Sequence, residues 1–357
     1  VICYFEKHRD ITGKKMARSS LNLHSNLVNN FEISPRLIGY ALSKEYKQYF
    51  RAKSCLMRSN LDDYHSTVKT LNSRGRRPRK ALGQHYMVNS KINKQLSEAA
   101  HVVEGDIVLE IGPGTGSLTQ VLINNGATVL AIEKDPHMAS IVSERFSETG
   151  RLKVIIEDFV RCNIPSQMQT LMSSSGRHRK AKVVSNIPFN ITTEVIKQLL
   201  PMGDVFSEVA LLVQEETALR LVESTPRSSE YRPINVFVNF YSEPKYMFHV
   251  PKASFFPQPT VDAAVMAFKL KQEEDYPTVN STKSFFSLVN SAFNGKRKML
   301  RKSLQHLCTP TEIEEALSNL GLPATSRPEE LTMDNFVNLH NTLTKVSHLM
   351  LLNPENP

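Results

Sequence analysis

The stretch Asp106-Ile-Val-Leu-Glu-Ile-Gly-Pro-Gly-Thr-Gly116 carries the strongest signal for the fold. Its first half is an apolar run typical of a buried strand, and its second half is a glycine-rich turn. A helix is predicted directly after the turn, over residues 117–124. A strand that enters a helix through such a turn is typical of α/β domains that bind nucleotides.

The same alternation continues after this stretch. Strands are predicted over residues 128–132, 153–156 and 182–185, and a helix over 136–146. The pattern predicts an α/β fold with a doubly wound, largely parallel, Rossmann-like sheet. Ligands bind such sheets beyond the carboxyl ends of the strands. Four residues fall at those ends and are expected to share one crevice: Gly112, Glu133, Asp158 and Asn186.

The spacing of the glycines distinguishes between nucleotide ligands. The turn reads GxGxG at residues 112, 114 and 116, and Ser117 stands where a GxGxxG turn has its third glycine. This disfavours an NAD oxidoreductase. Glu133 ends the second strand, 17 residues after Gly116, where a carboxylate can accept hydrogen bonds from both ribose hydroxyls of an adenosine. Together with Glu110, two residues before the first glycine, these features favour S-adenosylmethionine as the cofactor.

The segment Asn186-Ile-Pro-Phe-Asn190 resembles the NPPY-type motif of amino-group methyltransferases. The exocyclic amine of adenine is a poor nucleophile, because its lone pair is delocalised into the ring. The Asn186 side-chain oxygen can accept one N–H of the amine, and a backbone carbonyl of Ile187 or Pro188 can accept the other. Phe189 offers a face for stacking an unstacked base. We therefore predict Asn186, Pro188 and Phe189 as the catalytic residues.

The charge of +9 is unevenly distributed along the 357 residues. Residues 1–80 carry 17 Lys+Arg and 6 Asp+Glu, so the remaining chain has a net charge of −2. A basic, Ser-rich and acid-poor segment is typical of an organelle transit peptide, and an RNA-binding disordered tail is the alternative. The four cysteines are scattered without a CxxC pair, so we expect no metal site. No apolar run approaches the roughly 20 residues that span a membrane.

The C-terminal part has a different pattern. A methyltransferase domain is predicted over residues 81–270, a polar linker over 271–280, a helical domain over 281–346 and a tail over 347–357. Between two predicted helices lies a basic segment, residues 294–302. Its predicted phosphate-contacting residues are Lys296, Arg297, Lys298, Arg301 and Lys302. The run alone is equally typical of a solvated helix face.

Several motifs in this order resemble the small-subunit ribosomal RNA adenine dimethyltransferases (the KsgA type) from about residue 80 to residue 343. They begin with the stretch Ala81-Leu-Gly-Gln-His-Tyr-Met87 and include the glycine turn, Glu133 and the Asn186 segment. They end with Phe255-Phe-Pro-Gln-Pro-Thr-Val-Asp262, which is similar to the family's FxPxPxVD. The closest resemblance is to the plant plastid branch.

The resemblance implies roles for individual residues. It implies a cofactor site made of His85, Met87, Gly112, Glu133, Asp158 and Asn186. It also implies that Phe189 and Phe255 hold the flipped adenine between them, and that the helical domain faces RNA.

The implied function is dimethylation of small-subunit ribosomal RNA during ribosome biogenesis, by a monomer in the chloroplast stroma or, alternatively, the mitochondrial matrix. Two alternatives remain open. One is methylation of a large-subunit adenine, and the other is a nucleic-acid-binding protein that, like mitochondrial transcription factors, uses this fold without catalysis.

Overall fold

The computed structural model describes residues 83–175, 179–222, 230–295 and 298–346, together with residues 69, 78, 226 and 228. Apart from residues 69 and 78, the predicted transit peptide lies outside the described residues. The same is true of the predicted tail at 347–357 and of Lys296 and Arg297 in the basic segment.

The described chain is organised around a seven-stranded sheet and a separate two-stranded sheet. The strands are β1 (Tyr86–Met87), β2 (Ile107–Ile111), β3 (Thr128–Glu133), β4 (Leu152–Ile156), β5 (Ala181–Asn186), β6 (Phe206–Gln214), β7 (Ser242–Val250), β8 (Phe255–Phe256) and β9 (Ala263–Leu270). The large sheet has the order β4-β3-β2-β5-β6-β9-β7, and β1 pairs with β8.

Helices connect the strands and form the C-terminal part. They are α1 (Ser90–Ala99), α2 (Ser117–Asn124), α3 (Pro136–Arg145), α4 (Ile164–Ser175), α5 (Thr192–Leu199), α6 (Glu215–Val222), α7 (Pro233–Tyr241), α8 (Thr282–Ala292), α9 (Leu300–Ser303), α10 (Pro310–Asn319) and α11 (Met333–Val346). Short 3-10 turns lie between several of them, among them Phe189–Ile191.

The prediction of a doubly wound, largely parallel sheet is confirmed. The five strands from β4 to β6 are parallel, and β2 is buried along its whole length, as expected for a strand covered on both faces. The sheet also contains one antiparallel strand, β9, which lies between β6 and β7. Strand order reverses beside β2, because β3 lies on one side of it and β5 on the other. This is the switch point at which such sheets bind ligands.

The glycine turn between β2 and α2 needs a glycine at position 116 for two reasons. Gly116 has a φ of +81°, in the left-handed region that disfavours other residues. In addition, a Cβ atom at Gly116 would lie 2.8 Å from Cε2 of Phe146. The turn can therefore approach the end of α3 only because no side chain stands at this position.

The helices of the C-terminal part pack against α7 and share the hydrophobic core of the sheet. The Phe240 ring on α7 lies 5.3 Å from the Phe285 ring on α8, and Tyr231 contacts Phe293 in an edge-to-face arrangement at 5.9 Å. A capping box is present at the start of α10, with Thr309 and Glu312 bonded to each other's backbone. Within the described residues, no helix combines the length and apolar character needed to cross a membrane.

Candidate active site

A cavity opens at the carboxyl ends of β2, β3, β4 and β5, next to the switch point. Its walls include every residue predicted to bind the cofactor or to act in catalysis: His85, Met87, Gly112, Glu133, Asp158, Asn186, Pro188 and Phe189. The strands bring these residues together from positions that span about 100 residues of sequence. Phe255 and the described residues of the basic segment lie outside the cavity wall.

Glu133 ends β3 as a buried carboxylate. Its Oε2 accepts the Gly114 N–H at 3.3 Å, and its Oε1 accepts the Asp135 N–H at 2.9 Å. Burial raises the pKa of Glu133 above its ordinary value, and these backbone donors oppose that effect. A carboxylate offers about four acceptor positions, more than these two donors use, so Glu133 retains acceptor capacity for ligand hydroxyls.

Glu110 lies on β2 and is also buried in the cavity wall. The Thr119 hydroxyl on α2 donates to its Oε2 at 2.7 Å. Desolvation raises the pKa of Glu110 to about 8, so its carboxyl group is largely protonated at neutral pH. The sequence motif identified Glu110, but its partner Thr119 carried no sequence signal of its own.

Asp158 has the opposite electrostatic environment at the cavity rim. Lys134 donates from Nζ to its Oδ2 at 2.8 Å, and the Val160 N–H lies 3.3 Å from its Oδ1. The Lys134 hydrogen bond holds the pKa of Asp158 below its ordinary value. The cavity therefore has a charged acceptor at β4 and two acids with raised pKa values at β2 and β3.

Asn186 stands at the end of β5 with its amide anchored on one side only. Its Nδ2 donates to the carbonyl of His85 at 3.4 Å. Within the described part of the chain, its Oδ1 makes no hydrogen bond. The anchored nitrogen fixes the orientation of the amide, and the oxygen is left as an acceptor beside Pro188 and Phe189.

His85 links the residues before α1 (83–89, here called the N-terminal arm) to the segment Asn186–Asn190. Its Nδ1 lies 2.7 Å from the Pro257 carbonyl, so Nδ1 carries the proton. The His85 ring is stacked on Phe189, with the ring centroids 6.1 Å apart and the planes 24° apart. The pairing of Met87 with Phe255 across β1 and β8 completes this connection. Sequence reasoning placed His85 and Phe255 in separate roles and did not predict that the arm and the Phe255 motif pair.

Phe255 contacts Phe189 edge to face, with ring centroids 6.4 Å apart and planes 76° apart. Phe255 is also buried. The two rings are thus adjacent, but they do not present parallel faces to each other in this structure. Their joint role in holding a base stays a prediction.

The described residues of the basic segment lie in the helical part. Lys298 and Lys302 are exposed, whereas Arg301 is half-buried and donates from Nη1 to Oε1 of Glu314 at 2.6 Å. Arg301 is therefore partly neutralised within the protein. Its predicted phosphate contact, like those of the lysines, stays a prediction.

The fold and the site together place this protein among the Rossmann-like methyltransferases. The defining features are the parallel sheet with antiparallel β9, the glycine turn, the acids at the strand ends and the Asn-Ile-Pro-Phe segment. Residues 75–345 match the family model described as ribosomal RNA adenine dimethylase. The chain belongs to this family of enzymes.

Individual relatives agree with this assignment. The chain is 67% identical over 292 residues to the "Ribosomal RNA small subunit methyltransferase, chloroplastic" of Arabidopsis thaliana, covering 81% of this chain and 85% of that protein. It is 35% identical over 273 residues to "Ribosomal RNA small subunit methyltransferase A" of Protochlamydia amoebophila, covering 76% and 94%. The crystal structure of a dimethyladenosine transferase from Plasmodium falciparum has the same fold, with a TM-score of 0.59, 24% identity and coverage of 71% and 96%.

Proposed function

We propose that this protein transfers methyl groups from S-adenosylmethionine to the N6 amine of adenines in small-subunit ribosomal RNA, two per adenine, during ribosome biogenesis in the chloroplast stroma. One observation carries the proposal. The Asn186 oxygen, without a hydrogen-bonding partner in the described chain, lies in one cavity with the glycine turn and the half-buried Phe189. The small-subunit substrate and the plastid location are supported by the names of the relatives.

The residues present fit the cofactor. Glu133 is a buried acceptor with remaining capacity for ligand hydroxyls, Asp158 is a charged acceptor one strand away, and Gly112 lets the backbone approach a ligand closely. These three residues would hold the ribose, the adenine amino group and the methionine part, respectively. When bound, S-adenosylmethionine supplies an electrophilic methyl group.

The segment after β5 prepares the adenine amine for attack. Asn186 Oδ1 accepts one N–H of the amine. The Pro188 carbonyl already accepts the Ile191 N–H at 3.2 Å, which leaves the Ile187 carbonyl as the better second acceptor. Two acceptors draw the N–H groups out of the ring plane and localise the nitrogen lone pair. Because the N–H groups become more acidic during attack, both hydrogen bonds strengthen in the transition state.

Phe189 and His85 position the base. An adenine that leaves its own stack loses a few kcal/mol of stacking and pairing, which an aromatic surface partly restores. The His85 ring supports Phe189 from one side, and the Phe255 edge supports it from another. The orientation of Phe189 is thus set by two neighbours, and its remaining surface is the platform for the base.

Mass spectrometry of modified RNA tests the proposal. Purified protein is incubated with isotope-labelled S-adenosylmethionine and either small-subunit or large-subunit particles that lack the modification. We expect labelled N6,N6-dimethyladenosine in small-subunit RNA only. Labelled adenines in large-subunit RNA alone would show that the substrate assignment is wrong. Binding of RNA without any labelled adenine would instead favour a nucleic-acid-binding protein.

The proposed location has a separate test. Residues 1–80 fused to a fluorescent protein should direct it to the chloroplast stroma, whereas a fusion of residues 81–357 should stay outside the organelle. Import of the second fusion would show that residues 1–80 are not the targeting signal, and import of the first into mitochondria would favour the matrix.

A further inference from the structure

Asn93 is a buried polar residue for which the predicted cofactor site has no role. It lies in the first two turns of α1, lines the cavity and is 1% exposed. Among the described residues, its Oδ1 has no hydrogen-bonding partner. A buried acceptor without a partner is costly, and such atoms in native proteins commonly mark a missing water, ion or ligand. The donor for Asn93 is therefore expected from the contents of the cavity.

The packing of α1 shows which end of the cavity Asn93 occupies. Asn125, just after α2, donates to the Ser97 hydroxyl at 3.0 Å, so the later turns of α1 lie beside the end of α2. Asn93 lies one turn earlier, and it lines the same cavity as Ser117 and Leu118, the first residues of α2 after the glycine turn. Helix α1 also contacts β5, β6 and β9, which lie on the opposite side of β2 from β3 and β4.

The position of Asn93 indicates which part of the cofactor would lie beside it. Glu133 and Asp158 stand at the ends of β3 and β4, where they would hold the ribose and the adenine. The amino-acid part of the cofactor then extends past the glycine turn towards Asn93. That part carries an ammonium group, which donates hydrogen bonds, and a carboxylate, which accepts them. The acceptor Oδ1 matches the ammonium, which donates, and not the carboxylate, which offers only acceptors.

We propose that Asn93 is a further cofactor-binding residue, whose side-chain oxygen accepts a hydrogen bond from the α-ammonium group of S-adenosylmethionine. The inference rests on the proposed function, because it requires this cofactor in the cavity. It assigns to α1 a direct role in recognising the amino-acid part, in addition to its role in packing against α2.

Equilibrium binding of three ligands to the full chain tests the proposal. S-adenosylhomocysteine has the ammonium and the carboxylate, its decarboxylated analogue has only the ammonium, and 5′-methylthioadenosine has neither. Asn93→Leu, with Asn93→Ala as a second variant, should weaken the first two ligands about tenfold or more. It should change the affinity for 5′-methylthioadenosine less than about twofold. Because the ratios are measured on one sample, partial unfolding of a variant does not alter them.

Two control variants show what no effect and a general loss of binding look like in this assay. Ser97→Ala changes a buried polar residue one turn away and should leave all three ligand ratios unchanged. Glu133→Ala should weaken all three ligands, because each of them contains the ribose. Thermal unfolding of the ligand-free variants verifies that each is folded.

The remaining outcomes overturn the proposal in distinguishable ways. Unchanged ratios in both Asn93 variants would mean that the oxygen is satisfied inside the protein, for example by the Glu110 proton or an ordered water. A loss confined to S-adenosylhomocysteine would assign Asn93 to the carboxylate instead. If the wild-type protein bound none of the three ligands, the proposed function itself would be wrong.

Discussion

The cavity and the basic segment use charged and polar groups in opposite ways. In the cavity, Glu110 and Glu133 are buried and each is held by at least one hydrogen bond, so their positions are set by the strands that carry them. In the basic segment, Lys298 and Lys302 are exposed, and the half-buried Arg301 is paired with Glu314.

The physical consequences differ accordingly. A buried hydrogen bond to a charged group depends on exact placement and is weakly screened by salt, whereas exposed charges act through their number and are strongly screened. Single substitutions in the cavity should therefore have large effects on catalysis, cofactor binding or stability, whereas those in the basic segment should have small, salt-dependent effects on RNA binding. Four predictions test this comparison, beginning with the largest expected effect.

Asn186→Ala should reduce single-turnover methyl transfer by about a hundredfold or more, on the order of 3 kcal/mol, because it removes an acceptor that strengthens in the transition state. The measurement is methyl transfer at saturating cofactor and RNA, which separates chemistry from binding. Asn341→Ala is the matched control, since Asn341 donates to the Thr278 carbonyl at 2.8 Å and does not line the cavity. A near-normal rate in Asn186→Ala would show that this residue does not activate the amine.

Glu133→Ala should weaken S-adenosylmethionine binding by roughly 1–3 kcal/mol, because hydrogen bonds from the ribose to a carboxylate are lost. Calorimetry at two salt concentrations measures the effect, and the loss should be nearly the same at both. An unchanged affinity would remove Glu133 from the cofactor site. A loss that disappears at high salt would contradict the contrast between the two regions.

Glu110→Gln should change how stability depends on pH. The folded protein holds the Glu110 proton up to a pKa of about 8, whereas the unfolded chain releases it near the ordinary value of 4.5. The contribution of this group to the free energy of unfolding is fully present below about pH 4.5 and is lost as the pH rises through about 8. Between pH 5 and pH 8, the free energy of unfolding should thus fall less in Glu110→Gln than in the wild type, by roughly 1–3 kcal/mol.

Urea unfolding at both pH values measures this difference, and Glu315→Gln, at an exposed position of α10, is the control. Parallel pH profiles for Glu110→Gln and the wild type would mean that Glu110 is ionised in the folded protein.

Neutralising Lys296, Arg297, Lys298, Arg301 and Lys302 to Gln should weaken RNA binding and flatten its salt dependence, without a change in cofactor affinity. Each lost phosphate contact should lower the log–log salt slope by roughly 0.7–0.9. As a single change, Arg301→Gln should lower the slope less than Lys302→Gln, because Glu314 already pairs with Arg301. An unchanged slope in the fivefold variant would identify the basic segment as a solvated face.

Local pattern was sufficient to predict four of the five parallel strands and most of the cavity, whereas the fifth parallel strand, β6, was not predicted. Helix α2 begins and ends at the predicted residues, and the predicted strands lie within one residue of β2 to β5 at either end. Apolar runs and glycine turns are properties of neighbouring residues, so they can be recognised without knowing the rest of the structure. The cavity residues followed from the same pattern, because parallel strands end at one edge of the sheet.

Contacts between segments that are distant in sequence were decided only by the tertiary structure. His85 and Pro257 are 172 residues apart, yet their hydrogen bond and the β1–β8 pairing set the position of the Phe189 ring. The antiparallel insertion of β9 and the pairing of Arg301 with Glu314 likewise carried no local signal. Asn93 is the clearest case: its sequence position shows only a polar residue in an amphipathic helix. Its missing partner emerges only when α1, the glycine turn and the strand ends are packed together, because hydrogen bonding of a buried group depends on all of its neighbours in space.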